Sequence, residues 1–129
     1  MLILQYTNIL CLKDYFSGMV DHSRNEVLRL QAELCKSMAD PKRLQIIQEL
    51  LSGEKSVSEL AGILELKQSN TSQHLAVLRR IGVITPRKEG NTVYYRLADT
   101  RIADACDLVH GVIADQLRQS RKLSRLMRA

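Results

Sequence analysis

Three observations in this 129-residue chain predict a mostly α fold carrying a small β-hairpin wing. Between Ser56 and Leu97 a short capped helix is followed by a tight break, a helix with a polar outer face, and a hairpin with a basic tip. Capping residues recur at the expected helix starts, and glycines stand at the expected stops. Positive charge gathers on the same stretch. Between Lys67 and Arg96, the bases Lys67, Arg79, Arg80, Arg87, Lys88 and Arg96 stand against one acid, Glu89.

Each element has a local cause. Ser23-Arg24-Asn25-Glu26 reads as a capping box, in which the serine oxygen accepts from an early backbone N–H and the glutamate reaches back. A first helix is expected from there to about Met38, with Val27, Leu30, Leu34 and Met38 as its apolar stripe. Asp40-Pro41 starts a second helix, aspartate as cap and proline at the first helical position. Leu44, Ile47 and Leu51 are expected on its inner face, with Gly53 as its stop. Ser56-Val57-Ser58-Glu59 is a second capping box, opening a short helix with Leu60, Ala61, Ile63 and Leu64. After a break at Glu65-Leu66-Lys67, a fourth helix runs from about Gln68 to Ile81, and Gly82 ends it. Val83-Ile84-Thr85 and Thr92 to Leu97 are the strands, with Glu89-Gly90-Asn91 as a turn whose Gly and Asn accept positive φ. Pro86 cannot donate to a ladder, which makes its strand an edge. The last helix runs from about Asp99 to beyond Leu123. This order describes a winged helix-turn-helix that dimerises through its first and last helices. Leu108, Val109, Val112, Ile113, Leu117, Leu123 and Leu126 offer more apolar surface than one small domain covers.

At this length the chain is one domain, and with no Trp and one Phe its core is aliphatic. Residues 1–20 are expected to be an N-terminal extension, and residues 21–129 the winged domain with its C-terminal dimerisation helix. Met19 offers a second start, so residues 1–18 read as an over-called translation start. The opening apolar run lacks the basic start of a signal peptide and is too short to span a bilayer. Three separated cysteines, Cys11, Cys35 and Cys106, fit a reducing cytoplasm better than a secreted disulfide framework. The net charge is +5. Arg118, Arg121, Lys122, Arg125 and Arg128 crowd a tail with no acid after Asp115. A solvated helix face and a phosphate footprint both account for that tail. No paired carboxylates, Gly-rich phosphate loop or nucleophile with a nearby base appears, so an enzyme is not expected, nor a cofactor, nor a membrane partner.

The fourth helix carries the functional reading. At about 100° per residue, Thr71, Leu75, Leu78 and Gly82 share one side, and Ser69, Asn70, Gln73, Ala76 and Arg80 lie opposite. Gln68 and Ser72 sit near the exposed first turn. A slim polar face of this kind fits a major groove, where amide side chains can bond adenine through two hydrogen bonds. The expected DNA contacts are Gln68, Ser69, Asn70, Ser72, Gln73, His74, Arg79 and Arg80 on the helix. Arg87, Lys88 and Asn91 are the expected contacts on the wing, suited to the backbone or minor groove. His22 reads as a loop residue, and His74 also reads as an ordinary helix-boundary residue.

Four separated motifs occur in order. They are Met38-Ala39-Asp40-Pro41-Lys42-Arg43-Leu44, the stretch Glu54 to Ala61, Ser72-Gln73-His74-Leu75-Ala76-Val77-Leu78-Arg79, and Arg87 to Leu97. Over about residues 25–115 the chain resembles the ArsR/SmtB family of bacterial winged-helix repressors. The resemblance implies a homodimer on the first and last helices, a palindromic double-stranded DNA operator, and release on sensing a metal, metalloid or oxidant. Lys67 and Thr71 depart from the family, which mostly has a serine cap and an apolar residue there.

The sensing residues depart further. Relatives use Glu-Leu-Cys-Val-Cys-Asp-Leu at one metal site, where this chain has Glu54-Lys55-Ser56-Val57-Ser58-Glu59-Leu60. Serines hold zinc or cadmium poorly. The other site, matched from the Tyr94-Tyr95 pair, falls on Asp99, Arg101, Val112 and Asp115, which lack both imidazoles. No metal site is expected at either place. Cys35 and Cys106 remain. One reading makes both small buried hydrophobes. The other makes them sensor thiols that form a disulfide or persulfide bridge, or hold a metalloid with a third ligand such as His110. The expected function is a homodimeric repressor released by a small inducer, thiol-reactive or metalloid rather than zinc-like. The alternatives are a low-specificity architectural DNA binder and a protein-interaction module built on the wing fold.

Overall fold

The computed structural model describes residues 21–128. They fall into two units, each described by itself: the helix α1 (Asp21–Ser37), and residues 37–128. The N-terminal extension and Cys11 lie outside the described residues.

In α1 the backbone is already helical at Asp21, so Ser23 is inside the helix and does not cap it. The Glu26 carboxylate pairs instead with Arg29 one turn on, at 2.7 Å, and Arg29 also reaches Glu33 at 2.7 Å. Val27 and Leu34 of the expected stripe are half-buried, whereas Leu30 is exposed.

The second unit runs α2 (Pro41–Leu51), β1 (Lys55–Ser56), α3 (Val57–Leu64), α4 (Gln68–Arg80), β2 (Ile84–Glu89), β3 (Thr92–Leu97) and α5 (Arg101–Arg128). Asp40 caps α2 as expected. Its Oδ1 accepts from the amides of Lys42 at 2.8 Å and Arg43 at 3.2 Å, with Pro41 at the first helical position. The inner face of α2 differs from expectation. Ile46, Ile47 and Leu50 are buried, while Leu44 and Leu51 are 40% and 42% exposed. The stripe is rotated because α2 packs on α3, α4 and β3 as well as on α5, a burial pattern that one helix's period does not specify. Around α2 the core is aliphatic: Leu60 and Leu64 from α3, Leu75 and Leu78 from α4, Val83, Ile84 and Ala103.

The expected hairpin is part of a three-stranded antiparallel sheet in the order β1-β3-β2. Lys55 and Ser56 pair with Tyr95 and Tyr94, and β2 pairs with β3 from Ile84↔Leu97 to Glu89↔Thr92. Pro86 lies on β2, which is an edge strand, so its missing N–H leaves no central ladder broken. At the turn Gly90 takes φ +60°, while Asn91 does not need the positive φ expected of it. A two-residue turn with only its first residue at positive φ suits the right-handed twist of the hairpin. The last helix is 28 residues long, about 42 Å. Asp99 precedes it, accepting from the Arg101 amide at 2.9 Å.

Candidate nucleic-acid interface

The site starts with the turn between α3 and α4. Ser56 caps α3 through the expected box, its Oγ accepting from the Glu59 amide at 3.2 Å while the Glu59 carboxylate accepts from the Ser56 amide at 3.3 Å. Glu65 ends α3 in the left-handed region at φ +55°. The Lys42 ammonium on α2 donates to the Leu64 carbonyl at 2.9 Å, satisfying an open carbonyl at the negative end of α3. The Gln68 side-chain amide donates to the Ser58 hydroxyl across the turn. These bonds hold α3 and α4 at a set angle.

Lys67 stands at the cap position of α4 and makes no side-chain capping bond. Thr71, four residues on, bonds back to the same residue without replacing the cap. It is fully buried, and its backbone N–H and its hydroxyl both donate to the Lys67 carbonyl at 3.0 Å. The two departures from the family pattern are thus joined by one hydrogen-bonded turn.

Thr71, Leu75 and Leu78 form the buried side of α4, as the helical period predicts. Gln68, Ser69, Asn70, Ser72, Gln73, Arg79 and Arg80 are exposed, with Ala76 exposed among them. At about 100° per residue, Ser69, Gln73, Ala76 and Arg80 stand most directly opposite the core. Asn70 lies toward one flank, and Gln68 and Arg79 toward the other. His74 differs from expectation: it is half-buried and sits near enough to Asp40 to act on its charge. Burial pushes the Asp40 carboxyl up, but the Arg43 and Lys42 amides, with the charges of His74 and Arg43, hold it below its ordinary value. At about 100° per residue His74 lies toward the core side of α4, away from its outer face.

The wing also differs from a simple basic tip. The Arg87 guanidinium reaches the Glu54 carboxylate, pairs with Glu89 at 2.8 Å and lies 5.0 Å from the centre of the Tyr94 ring. Its hydrogen bond to Glu54 holds that carboxyl below its usual range. Alternate strand residues point to opposite faces, so Lys88 projects away from this cluster. Lys88 is exposed and makes no ion pair among the described residues. Ion pairs open to solvent are weak and screened, so a phosphate can still compete for Arg87. Asn91 is exposed at the tip. The Glu54–Arg87 clasp was not legible beforehand. The two residues are 33 apart in the chain and meet only because β1 joins the sheet.

The same residues answer the metal question. Where relatives' pattern has thiolates, the Ser56 hydroxyl caps α3 and the Ser58 hydroxyl accepts from Gln68. Glu54 is engaged by Arg87, and Asp99 by Arg101, whose hydrogen bonds hold the Asp99 carboxyl down to about 2. These side chains do not fit a soft-metal donor set. Cys35 is exposed on α1 and Cys106 is half-buried on α5, so neither is a fully buried hydrophobe within the single chain. No helix among the described residues is long and apolar enough to cross a membrane.

The comparisons agree with this geometry. Residues 40–85 match the family described as bacterial regulatory protein, arsR family. The transcriptional activator HlyU of Vibrio cholerae is 51% identical over 77 residues, covering 60% of this chain and 71% of that protein. The reduced form of HlyU superposes with a TM-score of 0.63, covering 70% of this chain and 95% of that one. A biofilm growth-associated repressor of Agrobacterium fabrum is 37% identical over 81 residues, covering 63% of this chain and 69% of that protein. A homodimeric winged helix-turn-helix DNA-binding domain from Mycobacterium bovis superposes with a TM-score of 0.70 at 30% identity, covering 79% of this chain and 94% of that one. A capped helix-turn-helix with a wing, 51% identity to one transcriptional regulator and 37% to another lead to one assignment: this chain is a transcriptional regulator of the arsR family, with a DNA-binding fold and no enzymatic role.

Proposed function

We propose that the protein is a homodimeric repressor that reads a palindromic operator through α4 and is released by a thiol-reactive inducer. The observation that carries the reading of DNA is the outer face of α4, where exposed Ser69, Gln73 and Arg80 stand opposite buried Thr71, Leu75 and Leu78. A helix whose core side is fixed and whose other side bears short polar groups and an amide suits direct readout of base edges. Lys88, Arg79 and Arg80 supply charge for the flanking phosphates. The exposed apolar residues of α5, with Leu28 and Leu30 of α1, support burial against a second copy, and the similar M. bovis domain is described as homodimeric. Twofold symmetry then sets two α4 helices about 34 Å apart, in successive major grooves. Of the two relatives, HlyU is described as an activator and the A. fabrum protein as a repressor, so a reporter fused to the chain's own promoter assigns the sign.

Gln73→Ala tests the reading face. It is expected to weaken operator binding by about 1–3 kcal/mol and to relax preference at one base pair per half-site, leaving binding to unrelated duplex unchanged. An equal loss on every sequence, in competition assays at one salt concentration, favours the low-specificity architectural binder instead.

For the sensor, Cys35 and Cys106 are the proposed thiols, in a reducing cytoplasm. Exposure of Cys35 makes it reachable, and the structure of one relative, HlyU, is described as its reduced form. A two-electron oxidant such as a polysulfide or peroxide would take two electrons and two protons as the bridge forms. Cys35→Ser and Cys106→Ser are each expected to keep operator binding and to abolish release by peroxide or polysulfide in gel-shift assays. Release at wild-type inducer concentration in both variants contradicts the assignment.

A further inference from the structure

The C-terminal half of α5 carries a charge pattern that the chain's own core does not use. From Arg118 to Arg128 the helix bears Arg118, Arg121, Lys122, Arg125 and Arg128, all exposed, and no acid. At about 100° per residue these five fall within a sector of about 120°. Leu123, Leu126 and Met127 lie on the other side and are exposed in the single chain. A second copy that covers the apolar side therefore leaves the cationic stripe open. Arg118 pairs with Asp115, and the other four make no ion pair among the described residues. Favourable interaction with the helix's negative end extends only over the last turn, so it accounts for Arg125 and Arg128 but not for Arg121 and Lys122. A face kept merely for solvation would mix signs, as α1 does with Glu26, Arg29 and Glu33.

We propose that this stripe is a second, sequence-independent phosphate-binding surface that takes the backbone of duplex DNA outside the operator. The inference rests on the DNA-binding reading of α4 and the wing. Charge complementarity carries it. The stripe spans about 15 Å, a length over which duplex DNA presents about nine phosphates. Five aligned cations matched to that array release counterions without reading bases. The duplex can be DNA flanking the operator or a second molecule.

The test is an Arg121→Gln/Lys122→Gln/Arg125→Gln variant of the full chain, with Arg121→Glu/Lys122→Glu/Arg125→Glu as a second. All three positions are exposed, and both replacements keep helix-forming side chains. Binding is measured against salt on a duplex of operator length and on one with long flanks. A two-duplex bridging assay runs alongside. Wild type is expected to show a steeper slope on the long duplex, by about 0.9 for each added phosphate contact, or to join two duplexes. The glutamine variant should lose that increment, or the bridging, while binding the short duplex as wild type does. The glutamate variant should lose it at least as fully. Equal slopes for wild type on both duplexes without bridging overturn the proposal. So does an increment that survives in the variants, or retention of the stripe on anionic phospholipid vesicles with no effect on DNA. If wild type fails to bind the short duplex, it is the reading of α4 that fails.

Discussion

Leu75→Ala is expected to destabilise the protein by about 2–5 kcal/mol. Leu75 is fully buried, on the inner side of α4, so truncation leaves a void between that helix and its supports. α4 starts without a side-chain cap, and its turn relies on bonds to Lys67, Ser58 and the carbonyl held by Lys42. A helix with so little help at its N-terminus depends on its apolar side for position. Chemical denaturation should give a lower midpoint with an unchanged slope, and operator affinity should fall with the loss of fixed geometry. A loss below about 1 kcal/mol would mean that α4 is held by something other than its packing against α2 and α3.

Val112→Glu is expected to break the dimer while leaving each protomer folded. Val112 is 57% exposed in the single chain, so a carboxylate there harms no core. In a dimer that covers the apolar face of α5, the same carboxylate is buried without a partner, at a cost of about 3–5 kcal/mol. That corresponds to roughly a hundredfold or more in the dimer dissociation constant. Sedimentation should find a monomer with wild-type helix content, and binding to a two-half-site operator should collapse toward that of one half. A variant that remains dimeric at micromolar concentration would place the interface elsewhere.

The parts of the fold that follow local rules were legible in the chain. The Ser56–Glu59 box, the Asp40-Pro41 start and the buried side of α4 each depend on residues within one or two turns, and each stands as the pattern predicts. What was missed depends on distant partners. β1 is two residues long, too short to show a period, and exists only because Tyr94 and Tyr95 pair with it. The exposure of Leu44 and Leu51 follows from where α2 meets its neighbours, since Ile46 and Leu50 are equally apolar in sequence. Ser23 failed as a cap because the chain before it is already helical at Asp21, and a capping motif counts only where a helix begins.

The site shows the same division. The polar face of α4 was visible because it is the complement of the buried side. Residue type alone points Arg87 at DNA, whereas in the fold it is engaged by Glu54, brought from elsewhere in the chain, and His74 is half-buried. The serines at 56 and 58 were recognised as poor metal ligands, but their structural work, capping α3 and receiving Gln68, needed coordinates.

If α4 reads base edges, the protein discriminates between DNA sequences. The most direct measurement is the ratio of affinities for the chain's own promoter and for unrelated duplex of equal length, at one physiological salt concentration. A ratio of about a thousandfold or more is expected, falling on Gln73→Ala through loss of promoter affinity alone. A ratio near one, or one that Gln73→Ala leaves untouched, contradicts it.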